Sequence, residues 1–205
     1  MSDTEISHPL FAAVYDPLVP EERLFAPHRE YLAAGLTGPV LDLGAGTGAS
    51  FPHLRGTDLH AIEPDPHMRR RAARRARELG IDVEIRAHRA EALTYDDDTF
   101  DAVLAGIVFC TVDDPELALS EVARVLRPGG EFRFLEHVRD DGWRARLQRA
   151  IDPIWTKTTG GCHLTRDTAA TFVGHDAFDV IEIERVEAGI TPVRPFVRGR
   201  LRRRA

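Results

Sequence analysis

Apolar positions along the chain form short compact runs separated by stretches of helical spacing. The run Pro39-Val40-Leu41-Asp42-Leu43 is apolar toward both faces, which predicts a buried strand. Similar runs or alternations predict strands at 60–62, 83–87, 100–107, 131–138, 178–186 and about 193–200. Helical spacing predicts helices between them. One fills much of 6–36, broken at Pro17 and Pro20. A second is capped by Asp65, carries Pro66 in its first turn, runs to Leu79 and stops at Gly80. A third opens at Asp114-Pro115, carries Leu117, Leu119, Val122, Val125 and Leu126, and ends at Arg127-Pro128-Gly129-Gly130. Two more fall near 143–155 and 166–174, the latter with Thr165 as its expected N-cap.

Strand and helix alternate through 39–138, the pattern of an α/β layer with a largely parallel sheet. The last two strands are expected to pair as an antiparallel hairpin at the sheet edge. With 205 residues and no apolar run near 18, the chain reads as one globular domain without an integral membrane segment. The formal charge of −6 argues against a general nucleic-acid partner. Cys110 and Cys162 are the only cysteines and neither lies in a CxxC pair, which argues against a structural zinc site; no metal is expected. Two reduced thiols and an acidic N-terminus without a secretory signal imply a cytoplasmic protein.

The strongest chemical signal follows the first strand. Gly44-Ala45-Gly46-Thr47-Gly48 places glycines where backbone can approach a ligand beyond the strand tips of an open α/β sheet. The loop alone also fits the relaxed dinucleotide fingerprint. Asp42, inside the strand, is a carboxylate that is costly to bury unless paired, and a ligand amine would supply the partner. Glu63 ends the second strand, 19 residues past Gly44, where an acidic residue takes ribose hydroxyls. The two carboxylates and the loop describe a ligand with an amine at one end and a ribose at the other.

These residues, with Ile62-Glu63-Pro64, Ala90-Glu91-Ala92-Leu93, Asp98-Thr99-Phe100-Asp101 and the run Glu121 to Gly130, resemble the class I S-adenosylmethionine-dependent methyltransferases of the type 11 domain. The resemblance implies a Rossmann-like seven-stranded, mostly parallel sheet with helices on both faces and an antiparallel last strand. It implies a helical lid at 1–37, a cofactor-binding core at 38–138, and substrate-side helices with a C-terminal hairpin at 139–205. By the same resemblance, Asp42, Gly44, Ala45, Gly46, Glu63, Pro64, Ala90, Glu91, Ile107 and Val108 would hold S-adenosylmethionine. Many relatives carry Asp where this chain has Arg89, so adenine recognition would rest on Glu91 or on backbone groups. A narrower resemblance joins Glu136-His137-Val138, Asp152-Pro153-Ile154-Trp155, Gly161 to Arg166 and Val193-Arg194-Pro195 to the microsomal thiol methyltransferases of animals and their prokaryotic relatives. Those animal proteins begin with a membrane-anchoring segment that this sequence lacks, which implies a soluble form.

The resemblance implies methyl transfer to a small-molecule acceptor, with a thiol first and an O- or N-acceptor of lipid-like or quinone-like kind second. The sulfonium loses a neutral thioether and needs no acid, so a base matters only when the nucleophile arrives protonated. His137 and His163 are the candidate bases; a structural role is open for each. Cys110 reads either as a small packed residue or as a neighbour of the methyl group, and Tyr15 as a core tyrosine or a closing aromatic. The arginines at 69–77 and 198–204 read as solvated faces or as contacts to an anionic lipid or RNA. Two other classes use the same loop: a nicotinamide-dependent oxidoreductase, disfavoured because the sole lysine, Lys157, has no Tyr-x-x-x-Lys context, and a non-catalytic cofactor-binding protein. Oligomeric state is not encoded in any pattern.

Overall fold

The computed structural model describes residues 7–9, 12, 24–186, 188 and 191–205. Tyr15 and most of the expected 1–37 lid lie outside the described residues. In chain order the elements are α1 (Ala26–Ala33), β1 (Pro39–Leu43), a 3-10 turn (Phe51–His53), β2 (Asp58–Ile62), α2 (Pro66–Leu79), β3 (Glu84–Arg86), β4 (Phe100–Gly106), α3 (Pro115–Val125), β5 (Leu126–His137), α4 (Gly142–Thr158), α5 (Thr168–Gly174), β6 (Phe178–Val186) and β7 (Phe196–Arg203). The seven strands form one sheet in the order β3-β2-β1-β4-β5-β7-β6. β7 runs antiparallel between β5 and β6, and the β3-β2-β1-β4-β5 pairings are parallel.

Alternate residues of the central strands enter two separate cores. Leu41, Leu43, Val103, Ala105, Phe132 and Phe134 pack with Leu119 and Val122 of α3 and Phe172 of α5. Val40, Ala102, Leu104 and Leu135 pack with Leu32 of α1 and Ala72 and Ala76 of α2. The period-two side-chain alternation of a strand therefore sets helices on both faces. Phe172 meets Phe109, Phe132 and Phe134 at ring-centroid distances of 4.8, 5.3 and 4.5 Å. Phe109 belongs to the loop that follows β4, so these ring contacts anchor that loop to the core.

Local chemistry explains the boundaries. The Asp65 side chain accepts from His67 N at 2.7 Å and Met68 N at 3.2 Å, and Gly80 ends α2 at φ 64. Asp65→Ala should lower unfolding free energy by about 1 kcal/mol in urea titrations, the usual value of an N-cap. Some boundaries differ from expectation. The N-cap of α5 is Asp167, which accepts from Ala170 N, not Thr165. β5 begins at Leu126, which pairs with Phe100 before Pro128-Gly129-Gly130 bulge out and pairing resumes at Glu131. Arg198, Arg200 and Arg203 are strand residues with acidic partners: Arg198 and Arg200 pair with the cross-strand acids Glu184 at 2.8 Å and Glu182 at 2.9 Å, and Arg203 pairs with Asp98 in the turn before β4. On α2, Arg69 donates to the Glu63 and Pro64 carbonyls and Arg74 pairs with Glu78. No helix among the described residues is long and apolar enough to cross a membrane.

Candidate active site

A cleft of about 550 Å3 opens beyond the carboxyl ends of β1, β2, β4 and β5. That volume suits a cofactor with a small substrate. Its floor is the loop after β1. Gly44 and Gly46 hold φ of 66 and 58, where a Cβ is strained. A Cβ on Gly44 would also lie 2.8 Å from Val108, so glycine lets the β1 and β4 loops meet. A Cβ on Gly46 would meet nothing within 4 Å, so bare backbone there faces open space.

Two acids flank this floor. Asp42 is 2 % exposed, and its Oδ2 has no hydrogen-bond partner among the described residues. Burial pushes its carboxyl up to about 7, against the pull of Arg29 and a Ser50 hydrogen bond. Arg29, from α1, donates to Ser50 Oγ at 2.9 Å and lines the cleft; no sequence pattern points to it. Glu63 accepts from Gly46 N at 2.8 Å and Asp65 N at 2.9 Å, so it joins the tip of β2 to the glycine loop. Burial raises it to about 7, the two backbone N–H bonds opposing. Ala45, Pro64, Ala90, Ile107 and Val108 all line the same cleft. Glu91 lines it too, and its Oε1 accepts from Asp113 N at 2.7 Å while Arg89 bonds Asp113.

The opposite wall holds groups the sequence pattern did not connect. Ile107 sits at φ 65, an unusual value for a β-branched residue. The next two N–H groups, of Val108 and Phe109, donate to Glu136 Oε1 at 2.7 and 3.0 Å and hold the strained turn in place. Glu136 is fully buried, and burial pushes it up to about 7. His137, 1 % exposed, reaches the cleft with its Nε2 3.0 Å from Cys162 Sγ. Cys110 joins them: its sulfur, the Cys162 sulfur and a His137 nitrogen all lie within 4.8 Å of one another. The two cysteines are buried and not joined. A Cys110 hydrogen bond and then His137 hold the Cys162 thiol down to about 5 against burial. For His137, burial pulls downward, and Cys162, Glu136 and Asp152 outweigh it, leaving the imidazole above its usual value. His137 is thus partnered at Nε2, while its Nδ1 is buried without a hydrogen-bond partner among the described residues. His163 is not brought into the cleft; its side chain is 40 % exposed and its Nδ1 faces Asp152 at 3.7 Å.

The residues present fit S-adenosylmethionine on grounds internal to the structure. An unpartnered buried carboxylate oxygen suits a cationic amine, a second acid sits one strand over, and bare backbone lies between them.

Residues 41–134 match the methyltransferase domain family. The chain is 32 % identical over 179 residues to the thiol S-methyltransferase TMT1B of Homo sapiens, covering 81 % of this chain and 73 % of that protein. It is 29 % identical over 199 residues to the Homo sapiens thiol S-methyltransferase TMT1A, covering 92 % and 81 %. Among solved structures, the cyclase SpnF superposes with a TM-score of 0.70 at 20 % identity, over 87 % of this chain and 80 % of the other, which speaks to fold alone. A protein solved for the conversion of a disulfide bond into a thioacetal group during echinomycin biosynthesis gives 0.67 at 25 % identity, over 95 % and 92 %.

Proposed function

We propose that this chain, which belongs to the class I S-adenosylmethionine-dependent methyltransferases and to the family of the thiol S-methyltransferases TMT1A and TMT1B, methylates the sulfur of a small thiol. The observation that carries this reading is a single cleft with the glycine floor and two acids on one side and Cys110, His137 and Cys162 on the other. The names of the two relatives agree with it.

When bound, the cofactor supplies an electrophilic methyl on a sulfonium whose departure leaves a neutral thioether. The chain's own work is placement. Asp42 holds the cationic amine, Glu63 the ribose hydroxyls, and Gly44, Ala45 and Gly46 give the backbone between them. Pro64, Ala90 and Glu91 border the adenine, while Ile107 and Val108 form the wall toward the acceptor. Phe25, Val193 and Phe196 close the cleft with apolar surface and exclude water. Alignment of this kind contributes roughly 7–11 kcal/mol to a two-reactant transfer. The acceptor must reach the methyl as a thiolate, and the cysteine–histidine wall is where the chain provides for loss of its proton.

The test is transfer of an isotopically labelled methyl to small alkyl and aryl thiols, with phenols and amines of matched size alongside. Label recovered as a thioether supports the reading; label on oxygen or nitrogen alone overturns it.

The acids also set a pH dependence. Asp42 and Glu63 sit at about 7, above their ordinary values of 3.8 and 4.5. The stability they lend the ligand-free protein is full below about pH 4 and is lost as pH rises through about 7. Cofactor favours both carboxylates charged, so binding releases protons below pH 7. Affinity should fall by up to tenfold per group for each unit of acidification below about 7. Calorimetric titration in buffers of different ionisation enthalpy would read both the affinity and the released protons.

A further inference from the structure

We infer that Cys110, His137 and Cys162 form a zinc site whose open fourth position faces the cleft and takes the sulfur of the acceptor. This rests on the thiol reading for the identity of the fourth ligand, but the three protein ligands stand on geometry alone.

Three separate segments supply the ligands: the loop after β4, the end of β5, and the loop between α4 and α5. Their donor atoms converge within 4.8 Å, and all three residues are buried. The convergence is built into the backbone. His163 N donates to the Cys110 carbonyl at 2.9 Å, Arg166 donates to the Phe109 carbonyl at 2.8 Å, and Leu164 N donates to Asp152 at 2.6 Å. The first two bonds tie the Cys162 loop to the Cys110 loop, the third ties it to α4, and Glu136 ties the Cys110 loop to β5 one residue before His137.

Two thiolates and one imidazole are a borderline-soft donor set that selects zinc over magnesium or calcium. Tetrahedral zinc with Zn–S near 2.3 Å and Zn–N near 2.0–2.1 Å needs ligand atoms about 3.6–3.8 Å apart. The cluster already falls in that range within about an ångström. Among the described residues no fourth histidine, cysteine or carboxylate joins the group. Three protein ligands with one open position are the arrangement of catalytic rather than structural zinc. All three ligands line the cleft that contains Gly44 and Asp42, so the open position points to where an acceptor must lie.

The chemistry closes. An acceptor R–SH binds zinc and loses its proton to solvent, because coordination deprotonates a thiol at neutral pH. The bound sulfur's lone pair forms the S–CH3 bond as the methyl–sulfonium bond breaks, and that bond's electrons stay on the departing thioether. The methylated product is itself a neutral thioether, a poorer ligand than a thiolate, and leaves. One thiol and one sulfonium give two thioethers and one proton.

The experiment is elemental analysis of the untagged protein purified without chelators, followed by chelator removal and reconstitution with cobalt(II). About one zinc per chain is expected. The cobalt form should show thiolate-to-metal charge transfer and the strong visible bands of a four-coordinate ion. Adding a small alkyl thiol without cofactor should shift those bands. Cys110→Ser and Cys162→Ser should each lower retained zinc to about a tenth, with circular dichroism confirming that they fold. Absence of metal, with both cysteines of the folded wild type still reacting with a thiol reagent in the presence of added zinc, overturns the site. So does an isolated Cys110–Cys162 disulfide that resists metal loading after reduction. Thiol methylation by demonstrably metal-free protein overturns this inference and leaves the proposed function standing. Zinc binding with methyl transfer only to oxygen or nitrogen upholds the metal site and overturns its thiol role.

Discussion

Glu63→Ala should weaken binding of S-adenosylhomocysteine by about 10²–10⁴-fold in calorimetric titration. The carboxylate occupies two positions at once. Toward the protein it accepts from Gly46 N and Asp65 N, and toward the cleft it is the group available to two ribose hydroxyls. Hydrogen bonds to a charged partner contribute roughly 1.5–3 kcal/mol each, so losing both hydroxyl contacts accounts for the range. Removing the side chain also strands two backbone donors, and each unsatisfied buried N–H costs about 1–3 kcal/mol. The variant should therefore lose both thermal stability and its stabilisation by ligand. Glu63→Gln keeps a carbonyl acceptor for one N–H and loses the charge, so its deficit should be smaller. Affinity of Glu63→Ala within about threefold of wild type would remove the ribose assignment.

His137→Ala should slow methyl transfer to a thiol by about 10²–10⁴-fold, the usual worth of a group that removes or replaces a proton at the nucleophile. Cofactor affinity should hold within about threefold, because His137 lies across the cleft from Glu63 and the glycine loop. The loss then falls on kcat and not on cofactor binding, the signature of an interaction made in the transition state. The same split is expected for Cys162→Ser, whose sulfur lies 3.0 Å from the ring nitrogen. His163→Ala should leave turnover close to wild type, since that ring faces Asp152 at the surface. Equal losses at His137 and His163 would contradict the geometry of the cleft.

Most of the fold was legible because local chemistry and tertiary demand agreed. β1, α2 and β6 fall at the expected residues: β1 is apolar on both faces, α2 is bracketed by Asp65 and Gly80, and β6 begins at the buried Phe178. The differences lie where long-range pairing overrode a local signal. Pro128-Gly129-Gly130 reads as a stop, yet Phe100 recruits Leu126 into the sheet ahead of it. β7 starts at Phe196 and not near Val193, because His137 supplies its first pairing partner only there. The glycine loop, Asp42 and Glu63 were visible because they sit within 22 residues on two adjacent strands. The Cys110–His137–Cys162 group was not, because its members are 27 and 25 residues apart and no spacing rule connects a β4 loop, a strand end and an α4–α5 loop. Arg29 escaped for the same reason, and Glu136 was legible as part of a motif but not in its role: what each does is set by what folds against it.

A structure of the protein with S-adenosylhomocysteine and a small thiol bound tests the central claim most directly. The expected complex has ribose hydroxyls on Glu63, the amine toward Asp42, and the cofactor sulfur directed at the acceptor seated against Cys110, His137 and Cys162. A nucleoside bound away from the end of β2, or its sulfur turned from that wall, would contradict it.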